Sequence, residues 1–122
     1  MIGVEIVAEA VEAAKANAAL NGLTNCSFIC GDVGEVLKNV PEKPDVIVVD
    51  PPRSGMSTKA MAQILNYGVA EICYISCNPV SMVENLRQAA MSGYRPVSIK
   101  SFDNFPFTSH VETVVLMSRK DK

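Results

Sequence analysis

Short apolar runs alternate with segments of helical period along this chain. Met1 to Ile6 predicts a strand ending near Glu5, and the Ala-rich stretch from Ala8 to Asn21 sets Val7, Val11, Ala14 and Ala18 on one helical face. Gly22 stops that helix. Cys26 to Cys30 predicts a second strand with Gly31-Asp32 at its edge, and Val33 to Asn39 a short helix. Pro41 to Pro44 then loops into Val46-Ile47-Val48-Val49, a run that reads as a buried strand. A helix over Ser57 to Asn66 leads to the apolar run Ile72-Cys73-Tyr74-Ile75, and Ser81-x-x-Glu84 has the form of a capping box opening a helix that ends near Gly93. Tyr94 to Phe102 and Val111 to Ser118 predict two more strands. Asp103 to His110 is too short for a crossover helix, so that pair is expected to be antiparallel. The fold class is α/β: six strands, a mostly parallel sheet closed by a C-terminal hairpin, and a solvated tail from Arg119 to Lys122.

Such sheets bind ligands outside the carboxyl edges of their strands. Here the edges carry Glu5, Asp32, Asp50 and Cys77. Asp50-Pro51-Pro52 ends its strand abruptly, because proline donates no ladder hydrogen bond and fixes its own φ. Twenty-seven residues further on, Ser76-Cys77-Asn78-Pro79 sets a thiol at the next edge. Each carboxylate alone could be a helix cap or a solvated turn residue. In series they point to a site. Glu5 is placed to accept both hydroxyls of a ribose, and Asp32 to accept from an adenine amino group, whereas a phosphate-rich ligand would be repelled. Cys77 precedes a helix, where backbone donors and the helix dipole favour thiolate. Glu112, near the start of the last strand, is a candidate base, with His110 placed to orient it or to cap the loop.

Composition narrows the setting. With 122 residues, 48% of them hydrophobic, one compact domain spanning 1–122 is expected. The net charge of −2, with scattered basic residues, lacks the positive stripe of a self-sufficient nucleic-acid binder. No apolar stretch reaches the ~20 residues of a membrane span and no signal segment is evident, so a cytoplasmic protein is expected. The four cysteines, Cys26, Cys30, Cys73 and Cys77, form two Cys-x-x-x-Cys pairs. On strands such residues lie roughly 13 Å apart, too far for one bridge or one chelate. No metal is expected, and Cys26, Cys30 and Cys73 read as core residues.

Three blocks in order, Asp50-Pro51-Pro52-Arg53-x-Gly55, Tyr74-x-Ser76-Cys77-Asn78-Pro79 and Phe105-Pro106-x-Thr108-x-His110-x-Glu112, carry a family resemblance. With them the chain resembles the C-terminal catalytic part of the RNA uracil-5-methyltransferases that use S-adenosyl-L-methionine. Gly3-Val4-Glu5, Asn17-Ala18-x-x-Asn21-Gly22 and Gly31-Asp32 fit the same pattern, so almost the whole chain is covered. The resemblance implies a Rossmann-like class I methyltransferase fold, with Cys77 as nucleophile on uracil C6 and Glu112 as the base that removes the C5 proton. Asp50 would touch both cofactor and uracil, Glu5 and Asp32 would bind cofactor, and Arg53, Asn78 and His110 would bind substrate. The Phe-rich loop would help enclose a flipped uridine of rRNA or tRNA.

The family's first strand and its Gly-rich turn have no counterpart here, nor does an upstream RNA-binding module. The expectation is therefore a fragment that binds S-adenosyl-L-methionine weakly and methylates nothing alone. Either the two strands flanking the gap close up or a second copy fills it as a homodimer. Two other readings compete. An amino-methyltransferase also has a proline-rich turn at this strand end, but with an aromatic residue where Arg53 stands. A structural or dimerising α/β module would explain the absent glycine turn.

Overall fold

A computed structural model describes residues 1–104, 107 and 111–119. The chain divides into two compact units, Met1–Pro41 and Glu42–Lys122.

In the first unit, β1 (Ile2–Glu5) and β2 (Ser27–Cys30) are parallel, joined through α1 (Ala8–Leu20), with Ile2 opposite Ser27 and Glu5 opposite Cys30. Gly3 lies opposite Phe28, and a Cβ on Gly3 would fall 2.7 Å from the Phe28 ring, so the glycine makes room for the aromatic side chain. Val11 and Ala18 form the buried stripe of α1 and Ala14 is half-buried. Val7 departs from the expected face: it is the N-cap residue, outside the helical period, and is exposed. After β2, Asp32 caps α2 (Val33–Asn39).

The second unit holds β3 (Val46–Val49), α3 (Thr58–Tyr67), β4 (Glu71–Ser76), α4 (Pro79–Met91), β5 (Tyr94–Phe102) and β6 (Glu112–Arg119). Its sheet order is β3-β4-β6-β5. β3 and β4 are parallel, while β6 runs antiparallel to both β4 and β5. The last strand thus inserts between β4 and β5. Ile72, Tyr74 and Ser76 of β4 lie opposite Met117, Val115 and Thr113 of β6, and all six are buried. The buried residues of α3 (Met61, Ile64, Leu65) and α4 (Met82, Asn85, Ala89) complete this core. Burying each of the larger apolar side chains contributes about 1.5–3 kcal/mol.

Several expectations are corrected. Val46–Val49 is apolar throughout, yet Val48 is 62% exposed, because exposure alternates along β3 and only Ile47 and Val49 share the better-covered face. The capping box at Ser81 does not form. Asn78 caps α4 with Pro79 in its first turn, Ser81 sits inside that turn, and Glu84 pairs instead with Arg87 at 2.8 Å. Ser57 caps α3, which runs one residue beyond the predicted end. Cys26 precedes β2 rather than opening it, and Cys30 is exposed rather than part of a core. β1 and β3 belong to different sheets. No helix among the described residues is long and apolar enough to cross a membrane.

Candidate active site

The second unit brings three of the predicted residues to one end of its sheet. Pairing between β4 and β6 runs from Glu71 opposite Ser118 to Ser76 opposite Thr113. Cys77 is the first residue past the end of β4 and Glu112 opens β6, so both lie at the end of the sheet where the β4–β6 ladder stops. Both are half-buried. On the other side of β4, Val49 lies opposite Tyr74, and Asp50 is the first residue beyond that pair.

The turn that presents Cys77 is held by its neighbours. Ser76 Oγ accepts from Asn78 N at 3.0 Å and lies 2.8 Å from Asn78 O. Asn78 Oδ1 accepts from Val80 N at 3.1 Å, which caps α4, and its Nδ2 donates to Arg53 O at 3.1 Å. Ser81 Oγ donates to the same carbonyl at 2.8 Å. Asn78 therefore ties the thiol turn to the Asp50–Gly55 turn through backbone. That second turn closes with Gly55 N donating to Pro52 O at 2.8 Å, and Gly55 has φ +80°, a left-handed conformation suited to glycine. Met56, just beyond, is held by Asn85, whose Oδ1 also accepts from Tyr74 Oη. The Tyr74 hydroxyl is pushed above its ordinary pKa chiefly by burial; the hydrogen bond with Met56 opposes the rise and the nearby Cys77 adds to it.

The first unit presents the other two carboxylates. Glu5 ends β1 and accepts from Val7 N at 3.0 Å through Oε1. Asp32 Oδ1 accepts from Gly34 N at 3.0 Å and Glu35 N at 3.3 Å. The capping role foreseen as the plain alternative for Asp32 is real, and it occupies one carboxylate oxygen, leaving Oδ2 as a further acceptor.

His110, Phe105, Pro106 and Thr108 lie outside the described residues, so of the third motif's named residues only Glu112 is described. Among the described residues no group of His, Cys, Asp and Glu suits a metal ion, and the four cysteines are free thiols. A cavity of about 570 Å³ lies at the opposite end of β3 and β4, lined by Lys43, Asp45, Glu71 and Arg119 among others. Arg119 Nη1 donates there to Gly68 O at 3.3 Å, which makes it a cap on the end of α3. Sequence reasoning missed Asn85, and it gave Ser81 and Tyr74 no part in holding the turn after Asp50. The signal was present for Asn85: it falls between Met82 and Ala89 on the buried stripe of α4, where an uncharged amide needs internal partners.

Parallel strands crossed over by helices, with an inserted antiparallel last strand and side chains gathered at strand ends, define a Rossmann-like methyltransferase fold. Residues 37–120 match the model of the tRNA (uracil-5-)-methyltransferase family, and the chain belongs to that family. An uncharacterized RNA methyltransferase of Clostridium acetobutylicum is 50% identical over 120 residues, covering 98% of this chain and 26% of the relative. One from Thermotoga maritima is 40% identical, covering all of this chain and 28% of the relative. The chain thus spans about a quarter of the length of these curated relatives. Among solved structures, the tRNA (uracil-54, C5)-methyltransferase of Pyrococcus abyssi in complex with S-adenosyl-L-homocysteine superposes with a TM-score of 0.80 at 28% identity, over 95% of this chain and 28% of that one. Precorrin-6y C5,15-methyltransferase of Geobacter metallireducens, at TM-score 0.76 and 11% identity over 97% of this chain and 66% of that one, shares the fold.

Proposed function

We propose that this chain supplies the nucleophile, the base and part of the cofactor site of an enzyme that methylates C5 of a uridine in RNA. The observation that carries the reading is the placement of Cys77 and Glu112 one step beyond the Ser76–Thr113 pair, with Asp50 at the end of the adjoining strand. Uracil C5 is too weak a nucleophile to take a methyl group unaided. Addition of the Cys77 thiolate to C6 forms a C–S bond and moves an electron pair into an enolate, which makes C5 nucleophilic. S-adenosyl-L-methionine would supply an electrophilic methyl group on a sulfonium, the C–S electron pair staying on S-adenosyl-L-homocysteine as the new C5–methyl bond forms. Glu112 then takes the C5 proton, and the electron pair released re-forms the C5–C6 double bond and expels the Cys77 thiolate. The base ends with one hydrogen replaced by methyl, and the proton resides on Glu112.

Glu5 and Asp32 are the residues that would hold the adenosine part of the cofactor. Their fit rests on Asp32, whose Oδ1 takes two backbone amides while Oδ2 stays available as an acceptor. Asp50, Arg53, Asn78 and His110 would surround the uracil. RNA selection and tight cofactor binding would draw on further parts of the polypeptide, in keeping with the quarter of the relatives' length that is spanned.

The test uses a chimera in which residues 1–122 replace the matching part of the 50%-identical Clostridium relative. RNA carrying tritium at uridine C5 should release it in the presence of S-adenosyl-L-methionine, at a rate equal to methyl incorporation. Methyl incorporation without tritium release would place the methyl group elsewhere and refute the reading.

A further inference from the structure

Asn85 occupies a position that packing alone would give to an apolar side chain. It is 4% exposed, on the stripe of α4 that faces the core. Its amide grips both backbone groups of one residue 29 positions away: Met56 N donates to Oδ1 at 3.0 Å, and Nδ2 donates to Met56 O at 2.9 Å. Two bonds to one peptide fix orientation as well as position. Tyr74 Oη donates to the same Oδ1 at 2.5 Å, from a residue three before Cys77 on β4.

Asn78, Ser81 and Asn85 stand at i, i+3 and i+7, which is one face of a helix. Asn78 and Ser81 hold Arg53 O, and Asn85 holds Met56. The turn after Asp50 is therefore pinned at both ends to α4, the helix that opens two residues after Cys77. Gly55 lies between those pins, and a Cβ there would meet Asn85 Oδ1 at 3.0 Å and Ser81 Cβ at 3.1 Å, so turn and helix are in close contact.

We infer that Asn85 is a positioning residue: by clamping Met56 to α4 and to Tyr74 it sets where Asp50 and Arg53 stand relative to Cys77. The inference rests on the uracil-methylating reading for its consequence, but its structural half is measurable without it. Small misplacements of reacting groups are costly, on the order of a hundredfold in rate per ångström. Asn85 touches neither reacting atom and would act on turnover rather than on RNA affinity.

Three variants separate positioning from plain stability: Asn85→Ala, Asn85→Asp and Tyr74→Phe. In the 122-residue chain, amide hydrogen exchange is read at Met56 and along the β4–β6 ladder. In the chimera, kcat and KM for RNA are read by tritium release. Asn85→Ala is expected to speed Met56 exchange by roughly ten- to a hundredfold while the ladder amides keep their protection. Its kcat should fall by about ten- to a hundredfold, with KM for RNA changed by less than about twofold. Asn85→Asp keeps the acceptor for Met56 N and loses the donor to Met56 O, so it should restore part of kcat. Tyr74→Phe leaves both bonds between Asn85 and Met56 and removes only the hydroxyl beside them, so Met56 exchange should rise by much less than in Asn85→Ala. The inference is overturned if kcat is unchanged while Met56 exchanges faster, or if ladder and Met56 amides accelerate together and activity follows the folded fraction. If Asn85→Ala does not fold, Asn85→Asp against Tyr74→Phe decides by the same criteria. A wild-type chimera that releases no tritium sinks the uracil reading instead, leaving the exchange data to judge the clamp.

Discussion

Cys77 and Glu112 are the first residues beyond the Ser76–Thr113 pair, one just past the end of β4 and the other at the start of the antiparallel β6. They are 35 positions apart in sequence and come to the same end of the sheet only because β6 inserts beside β4. Each arrives with a different role, since a thiolate adds to carbon readily and a carboxylate accepts a proton.

Glu112→Gln removes the base and keeps the shape. In the chimera with ordinary uridine RNA, methyl transfer should still occur once, while release of product falls by about 10²–10⁴-fold. A protein–RNA adduct carrying methyl should accumulate on denaturing gels. Full turnover by this variant would assign the proton to another base.

Asp32→Asn separates a cap from a cofactor ligand. Asparagine caps helices about as well as aspartate, so thermal stability should change by less than roughly 0.5 kcal/mol. With its oxygen turned to the amides of Gly34 and Glu35, its NH₂ replaces Oδ2, and a donor would then face the adenine amino group. Binding of S-adenosyl-L-methionine to the chimera, measured by calorimetry, should weaken by about tenfold. Unchanged affinity would reduce Asp32 to its capping role.

Gly55→Ala tests the turn. A left-handed φ costs a non-glycine residue about 1–2 kcal/mol, and the added methyl would press on Asn85. Denaturant unfolding of the 122-residue chain should report a loss of that size. An unchanged midpoint would mean that the turn relaxes freely.

Alkaline pH should destabilise the second unit. Tyr74 and Tyr94 both have hydroxyls raised above the ordinary 10.0, chiefly by burial, with the Arg119 charge opposing the rise at Tyr94. The folded state then holds these protons where the unfolded chain has released them, so stability is intact below about pH 10 and declines as pH rises beyond it. Replacing both tyrosines by Phe should flatten that decline in unfolding curves taken at increasing pH.

Much of this was legible from sequence because local rules governed it. The Pro51-Pro52 stop, the strand at the apolar run Ile72–Ile75 and the antiparallel final pair were read from apolar runs, turn chemistry and loop length, and each stands in the structure. The start of α4 was misread because Ser81 and Glu84 fit a capping pattern, whereas Asn78-Pro79 offers a better one: an Asx cap followed by a residue with no N–H to satisfy. The place of Asn85 on the buried stripe of α4 was legible, but what it holds was not. Its partners lie 11 and 29 residues away, and nothing local announces a bond that only tertiary packing creates.

The most direct measurement is trapping. The chimera is incubated with S-adenosyl-L-methionine and an RNA containing 5-fluorouridine, whose C5 fluorine cannot leave as a proton does, and the products are digested for peptide mass spectrometry. The expected result is one methylated nucleotide bound to the peptide containing Cys77, absent from the Cys77→Ser protein. An adduct on Cys26, Cys30 or Cys73, or undiminished methylation of ordinary RNA by Cys77→Ser, would contradict the account.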